Sequence, residues 1–77
     1  MKINYFGEIA DITKQTTEHV ELKDGLVSEL LSYLLTKYKL HVEDMHIAVN
    51  HEIVSTYEDV SIREHDEVAV LSPFAGG

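Results

Sequence analysis

The stretch LVSELLSYLLTKY, residues 26–38, decides how the rest of the chain is read. Val27, Leu30, Leu31, Leu34, Leu35 and Tyr38 recur at three- and four-residue steps, while Glu29, Ser32, Thr36 and Lys37 fall between them. That period gathers the apolar set on one side of an α-helix. Asp24 is expected to accept hydrogen bonds from the free first-turn amides, with Glu29 near the positive end of the helix and Lys37 and Lys39 near the negative end. At 1.5 Å per residue the helix is roughly 20 Å long, enough to cross a small sheet. Its apolar stripe requires such a sheet.

Working outward, the segments on both sides supply strands. Upstream, KINYF alternates, with Ile3 and Tyr5 on one side and Lys2, Asn4 and Phe6 on the other. Phe6 breaks an otherwise polar side. Gly7 then lets the chain turn, and EIADITK has Ile9 and Ile12 three apart, which suits a short helical turn. TEHVEL opposes His19 and Glu21 to Val20 and Leu22, so the first two strands form a hairpin with a long connection. Downstream, HIAVNHEIV reads as two short strands around Asn50 and His51, since Asn tolerates the positive backbone angle of a tight turn. Ile47 and Val49 are expected to face one way, with Ile53 continuing the core on the return. STYEDVSI reads as a connection that contributes Val60 and Ile62 to packing. EVAVL is nearly all apolar, as a central strand should be. Strand, strand, helix and further strands describe one helix over a mixed sheet: an α+β architecture with the element order of a β-grasp, or ubiquitin-like, fold.

Composition narrows the function. The chain has 77 residues and no cysteine, so neither a disulfide nor a Cys-ligated zinc can supplement a small core. Its formal charge is -8. That disfavours phosphate-backbone contacts and points away from nucleic acid, toward either simple solubility or a basic protein partner. The absence of a signal-like amino terminus or of an apolar run near 20 residues makes a cytoplasmic protein without a membrane span the expectation. No linker, repeat or low-complexity segment stands out. One domain over 1–77 is expected, with 72–77 as a projecting tail.

A search for ordinary catalytic machinery returns little. His41, His46 and His51 are spaced by five, out of register on any one helix, and no HExxH pattern is present. No metal site is assigned. Glu43–Asp44, Glu58–Asp59 and Asp66–Glu67 are adjacent carboxylates, which do not establish an acid/base pair across a substrate. Phosphate-loop, dinucleotide and nucleophile-elbow patterns are missing. What remains is the ending, LSPFAGG, residues 71–77. Pro73 cannot donate to a sheet ladder and holds Ser72 extended, so a tail is expected to leave the sheet there. Phe74 is a large apolar group on that tail, and Ala75, Gly76 and Gly77 then shrink to the least cross-section. This gradient suits insertion of the terminal carboxylate of Gly77 into a narrow site, with Gly76 free to adopt angles denied to other residues. Phe6, Leu71, Pro73, Phe74 and Ala75 are assigned to a partner interface, with core packing the alternative for Phe6 and Leu71.

The whole chain resembles the molybdopterin synthase small-subunit family of sulfur-carrier proteins. The resemblance rests on INYFGEIADI, VSELLSYLLTKY, IAVNHEIV, and HDEVAVL followed by SPFAGG. It implies a β-grasp fold whose terminal glycine, here Gly77, is adenylated by an E1-like enzyme using ATP and Mg2+. The transient acyl–AMP becomes a thiocarboxylate with sulfur from a donor system, and that sulfur passes to cyclic pyranopterin monophosphate to build the molybdopterin dithiolene. It also implies a heterotetramer of two small and two large subunits, with the catalytic side chains on the large subunit and no intrinsic cofactor here. Two places, the tail and one turn, depart from the family pattern. Ser72–Pro73 and Phe74 stand where two prolines and a β-branched residue are common, and His65 stands where a glycine precedes the acidic pair, implying a strained turn at His65. The alternatives are a thiamine-pathway sulfur carrier, a ubiquitin-like modifier joined to lysine, and a non-catalytic β-grasp interaction module.

Overall fold

In a computed structural model the chain is described over residues 1–54 and 60–73. The elements run β1 (Lys2–Tyr5), α1 (Glu8–Thr13), β2 (Thr17–His19), α2 (Val27–Tyr38), a 3-10 turn (Val42–Asp44), β3 (His46–Val49), β4 (Glu52–Val54) and β5 (Val68–Leu71). The five strands form one mixed sheet in the order β2-β1-β5-β3-β4. β1 pairs antiparallel with β2 and parallel with β5, and β3 pairs antiparallel with both β4 and β5. The apolar run Val68–Leu71 thus occupies the centre, where a strand has neighbours on both edges.

One sheet face and the stripe of α2 make the core. Ile3, Tyr5, Ile47, Val68 and Val70 meet Val27, Leu30 and Leu34, with Ile9 of α1 and with Val20, Leu40, Met45 and Ile62 from connections. The stripe is narrower than its period implies, because Leu31 is only half-buried and Leu35 is exposed. α1 likewise buries Ile9 and leaves Ile12 in solvent. Ile62 packs as expected, and Val60 lies partly buried against the core. Residues 55–59 of the expected connection lie outside the described residues.

The start of α2 differs from the reading of Asp24 as its cap. Leu26 is the N-cap and supplies no side-chain bond. Glu29 reaches back, and its Oε1 accepts from the Asp24 N–H at 2.8 Å and the Leu26 N–H at 3.1 Å. The Val27 N–H donates instead to the Val60 carbonyl at 2.9 Å, so a neighbouring segment satisfies an amide that a cap would otherwise serve. This close approach depends on Gly25, whose φ is +63°. A Cβ there would lie 2.7 Å from the Ile62 carbonyl oxygen, and the Gly25 carbonyl accepts from the Ile62 N–H at 2.6 Å.

A second clamp joins α2 to the β2 edge. Glu18 Oε1 accepts from the hydroxyls of Tyr5 and Tyr38, each at 2.7 Å, and Oε2 accepts from the Tyr33 hydroxyl and from Lys37 Nζ at 2.7 Å. Burial works against the Glu18 anion, yet the bonds from Lys37 and the three hydroxyls outweigh it and hold the carboxyl down at about 2. Burial first, and then Glu18 itself, push the Tyr5 hydroxyl far above the usual phenol range. Lys37, expected to serve the helix dipole, is held here by the β2 carboxylate and sits over the Tyr33 and Tyr38 rings. Donors surround both carboxylate oxygens, so the cluster reads as a structural clamp.

Candidate functional site

Strand parity builds the second sheet face. Val68 and Val70 point to the core, so Ala69 and Leu71 point away, and by the same alternation Asn4 leaves β1 on that outer side. β3 contributes Ala48, and β4 contributes Ile53, which is paired directly with Ala48. Phe6 follows β1 and closes one end. Phe6, Ala48, Ile53, Ala69 and Leu71 line a hollow of about 300 Å³, with His51 at its rim.

This arrangement corrects the assignment of Ile53 to the core: its side is the outer one and it is 58% exposed. The turn explains why. Asn50 and His51 both have positive φ, 53° and 71°, as a two-residue type I′ hairpin demands. Such a turn pairs Val49 with Glu52, Ala48 with Ile53 and Ile47 with Val54, so Val54, not Ile53, shares the inward side with Ile47. Counting outward from the turn in the sequence would have revealed this. For Phe6 the core-packing alternative is excluded, since 48% of it is exposed. Leu71 is half-buried in the same hollow. An exposed apolar surface rimmed by polar groups is the usual form of a protein-docking site.

The far end of the hollow is pinned by the hairpin. The Asn50 N–H donates to the Glu67 carbonyl at 2.7 Å, the Glu67 N–H donates to Asn50 Oδ1 at 3.0 Å, and Asn50 Nδ2 donates to Asp66 Oδ1 at 3.0 Å. Asp66 Oδ2 also accepts from the Arg63 N–H at 2.8 Å. That backbone bond, then the Asn50 amide, holds the Asp66 carboxyl below its usual range. The resulting 63–66 turn removes the strain expected at His65: among the described non-glycine residues positive φ occurs at Lys14, Lys39, Asn50 and His51. His51 Nε2 lies 3.0 Å from Glu67 Oε2, an exposed pair at the rim.

The near end is where the tail begins. The ladder closes at Leu71, opposite His46. Ser72 follows, buried to 5% exposure, with its hydroxyl donating to Glu8 Oε2 at 3.3 Å, and Pro73 is half-buried after it. Ser72 and Glu8 carried no signal in sequence, because the contact joins residues 64 apart. The expected interface residues Phe74 and Ala75, and Gly76 and Gly77, expected to enter a narrow site with the acyl end on Gly77, lie outside the described residues. Among the described residues no group of histidines and carboxylates could hold a metal, and no helix is long and apolar enough to cross a membrane.

Solved structures share this architecture. A protein of Pyrococcus furiosus described as molybdopterin converting factor subunit 1 is 26% identical, with 94% of each chain covered and a TM-score of 0.71. Small archaeal modifier protein 1 of Haloferax volcanii is 18% identical over 94% of each chain at a TM-score of 0.68, a likeness of fold. A complex of subunits 1 and 2 of molybdopterin-converting factor from Helicobacter pylori contains a chain 23% identical, covering 99% of this chain and 96% of that one at a TM-score of 0.69. The model of the ThiS family matches residues 3–77. With its sheet, helix and outer face arranged as a ubiquitin-like β-grasp, the chain belongs to the ThiS family of sulfur-carrier proteins.

Proposed function

We propose that this chain is the sulfur-donating small subunit of a molybdopterin synthase, acting in the cytoplasm through its terminal carboxylate. The observation that carries the reading is the position of the tail root. The central strand ends at Leu71 beside an exposed apolar face, and the chain then continues to Gly76 and Gly77. A partner that docks on the outer face receives the acyl end in the same encounter.

The chemistry follows from the weakness of a carboxylate as an electrophile. An E1-like partner holding ATP and Mg2+ lets a Gly77 carboxylate oxygen attack the α-phosphorus, forming an acyl–AMP anhydride and releasing pyrophosphate. A hydrosulfide-class sulfur nucleophile then displaces AMP and leaves a thiocarboxylate. The absence of a side chain at Gly76 and Gly77 keeps the acyl carbon accessible to both reactions. In the synthase, the thiocarboxylate sulfur bonds to a carbon of cyclic pyranopterin monophosphate, and water then attacks the Gly77 acyl carbon as its C–S bond breaks, leaving the sulfur on the precursor and regenerating the carboxylate of Gly77. The large subunit supplies the catalytic side chains in an assembly of two small and two large subunits. The complex of subunits 1 and 2 from Helicobacter pylori supports a large-subunit partner.

A second reading is favoured by the likeness to small archaeal modifier protein 1, whose name describes a protein modifier. In that case the activated Gly77 is captured by a lysine amine. Intact-mass analysis after incubation with the activating enzyme, ATP and a sulfur donor separates the two. Exchange of one terminal oxygen for sulfur is the expected result; lysine-linked conjugates favour the modifier, and an unchanged mass rejects activation altogether.

A further inference from the structure

The root of the tail carries a device that the outer face does not explain. Backbone pairing holds the chain up to Leu71, opposite His46, and beyond this ladder the Ser72 side chain makes a link to the body. Its hydroxyl meets Glu8 Oε2 at 3.3 Å. Glu8 opens α1, which is fixed in turn by buried Ile9 and by the bond from the Phe6 N–H to the Val70 carbonyl at 3.1 Å. Ser72 is buried while Glu8 is exposed, so the bond has a sheltered donor and a charged acceptor.

Resting on the sulfur-carrier reading above, we infer that Ser72 and Glu8 are positioning residues that fix the direction in which the tail leaves the sheet. The five residues from Pro73 to Gly77 span at most about 17 Å of chain, so the direction set at the root bears on where the acyl carbon can be presented. Pro73 sets its own φ but donates no N–H, so it stiffens the path without adding a hydrogen bond to the body. The Ser72 hydroxyl supplies that tie. Docking through Phe6, Ile53 and Leu71 governs encounter, whereas the root governs how often a docked chain presents its carboxylate to ATP. Loss of the tie therefore lowers turnover and leaves docking intact.

The test is acyl-adenylate formation by the E1-like partner, followed by ATP–pyrophosphate exchange with carrier concentration varied. Ser72→Ala is expected to lower kcat about five- to tenfold with KM within about twofold of wild type, the size of one ordinary intramolecular hydrogen bond. Ser72→Thr, which keeps the hydroxyl, restores most of the rate. Glu8→Ala, at an exposed position, reproduces the Ser72→Ala defect, and the double variant is no worse than either single one. Melting temperatures are taken on all variants, and Glu8→Ala keeps the question open to refutation should Ser72→Ala fail to fold. Full turnover in Glu8→Ala, additive losses in the double variant, or a defect confined to KM overturns the inference. Wild-type chain that exchanges no pyrophosphate at all refutes the carrier reading instead, which separates the two failures.

Discussion

Gly25 shows how one residue fixes the join between helix and sheet. Its φ of +63° is unfavourable for an L side chain, and an added Cβ would press to 2.7 Å on the Ile62 carbonyl oxygen, a backbone atom that cannot swing aside. Gly25→Ala should therefore destabilise the fold by about 2–4 kcal/mol, measurable as a lower urea midpoint; a midpoint equal to wild type refutes the account of this contact. Glu18 exerts comparable control through charge. Its carboxyl is held down at about 2 against an ordinary value of 4.5, so its contribution is complete above pH 4.5 and disappears as pH falls toward 2. Because the Lys37 side chain is half exposed, the contribution is set at about 1–2 kcal/mol. Glu18→Gln should lose that amount at pH 7 and show a flatter decline between pH 4.5 and 2 in denaturation curves. Parallel curves for the two proteins would remove the clamp from the explanation.

At the scale of elements, the β3–β4 hairpin governs the outer face. Its turn places Asn50 and His51 in the left-handed region, which histidine adopts more readily than most side chains but at a cost that glycine does not carry. His51→Gly relieves that cost and forfeits only an exposed pair with Glu67. The substitution is expected to stabilise the protein by about 0.5–1 kcal/mol, seen as a melting temperature several degrees higher; a drop would mean that the His51–Glu67 pair outweighs the backbone strain. The same turn sets which residues are available to a partner. The helix was legible because its six apolar positions repeat over three turns, and the central strand because it is continuously apolar. The side occupied by Ile53 was misread because a three-residue strand offers too few alternations to reveal its parity. Pairing with Ala48 settles it.

For the whole molecule, the core lies on one sheet face and the proposed docking surface on the other. Ile53→Asp should leave the melting temperature within about 4 °C of wild type, as a substitution away from the core, yet weaken association with the large subunit at least about tenfold. Calorimetric titration checks this, and unchanged affinity would remove the outer face from the interface. The charge of -8 makes a basic partner surface the natural complement. The association rate with such a partner is expected to fall by about an order of magnitude from low to moderately high salt, while dissociation changes less. Stopped-flow mixing at several ionic strengths reads this directly, and a salt-independent rate would assign the acidic surface to solubility.

The sequence by itself determined the element order, the stripe of α2, the centrality of β5 and the Gly76–Gly77 ending, because periodicity, apolar runs and terminal composition are local properties. Tertiary structure alone decided that the Val60 carbonyl serves the Val27 amide at the start of α2, that Gly25 packs against the Ile62 carbonyl, and that Ser72 meets Glu8. Each of these depends on groups distant along the chain or on strand register. Chain folding, by bringing α1 to the end of β5, supplies the carboxylate that the root of the tail uses.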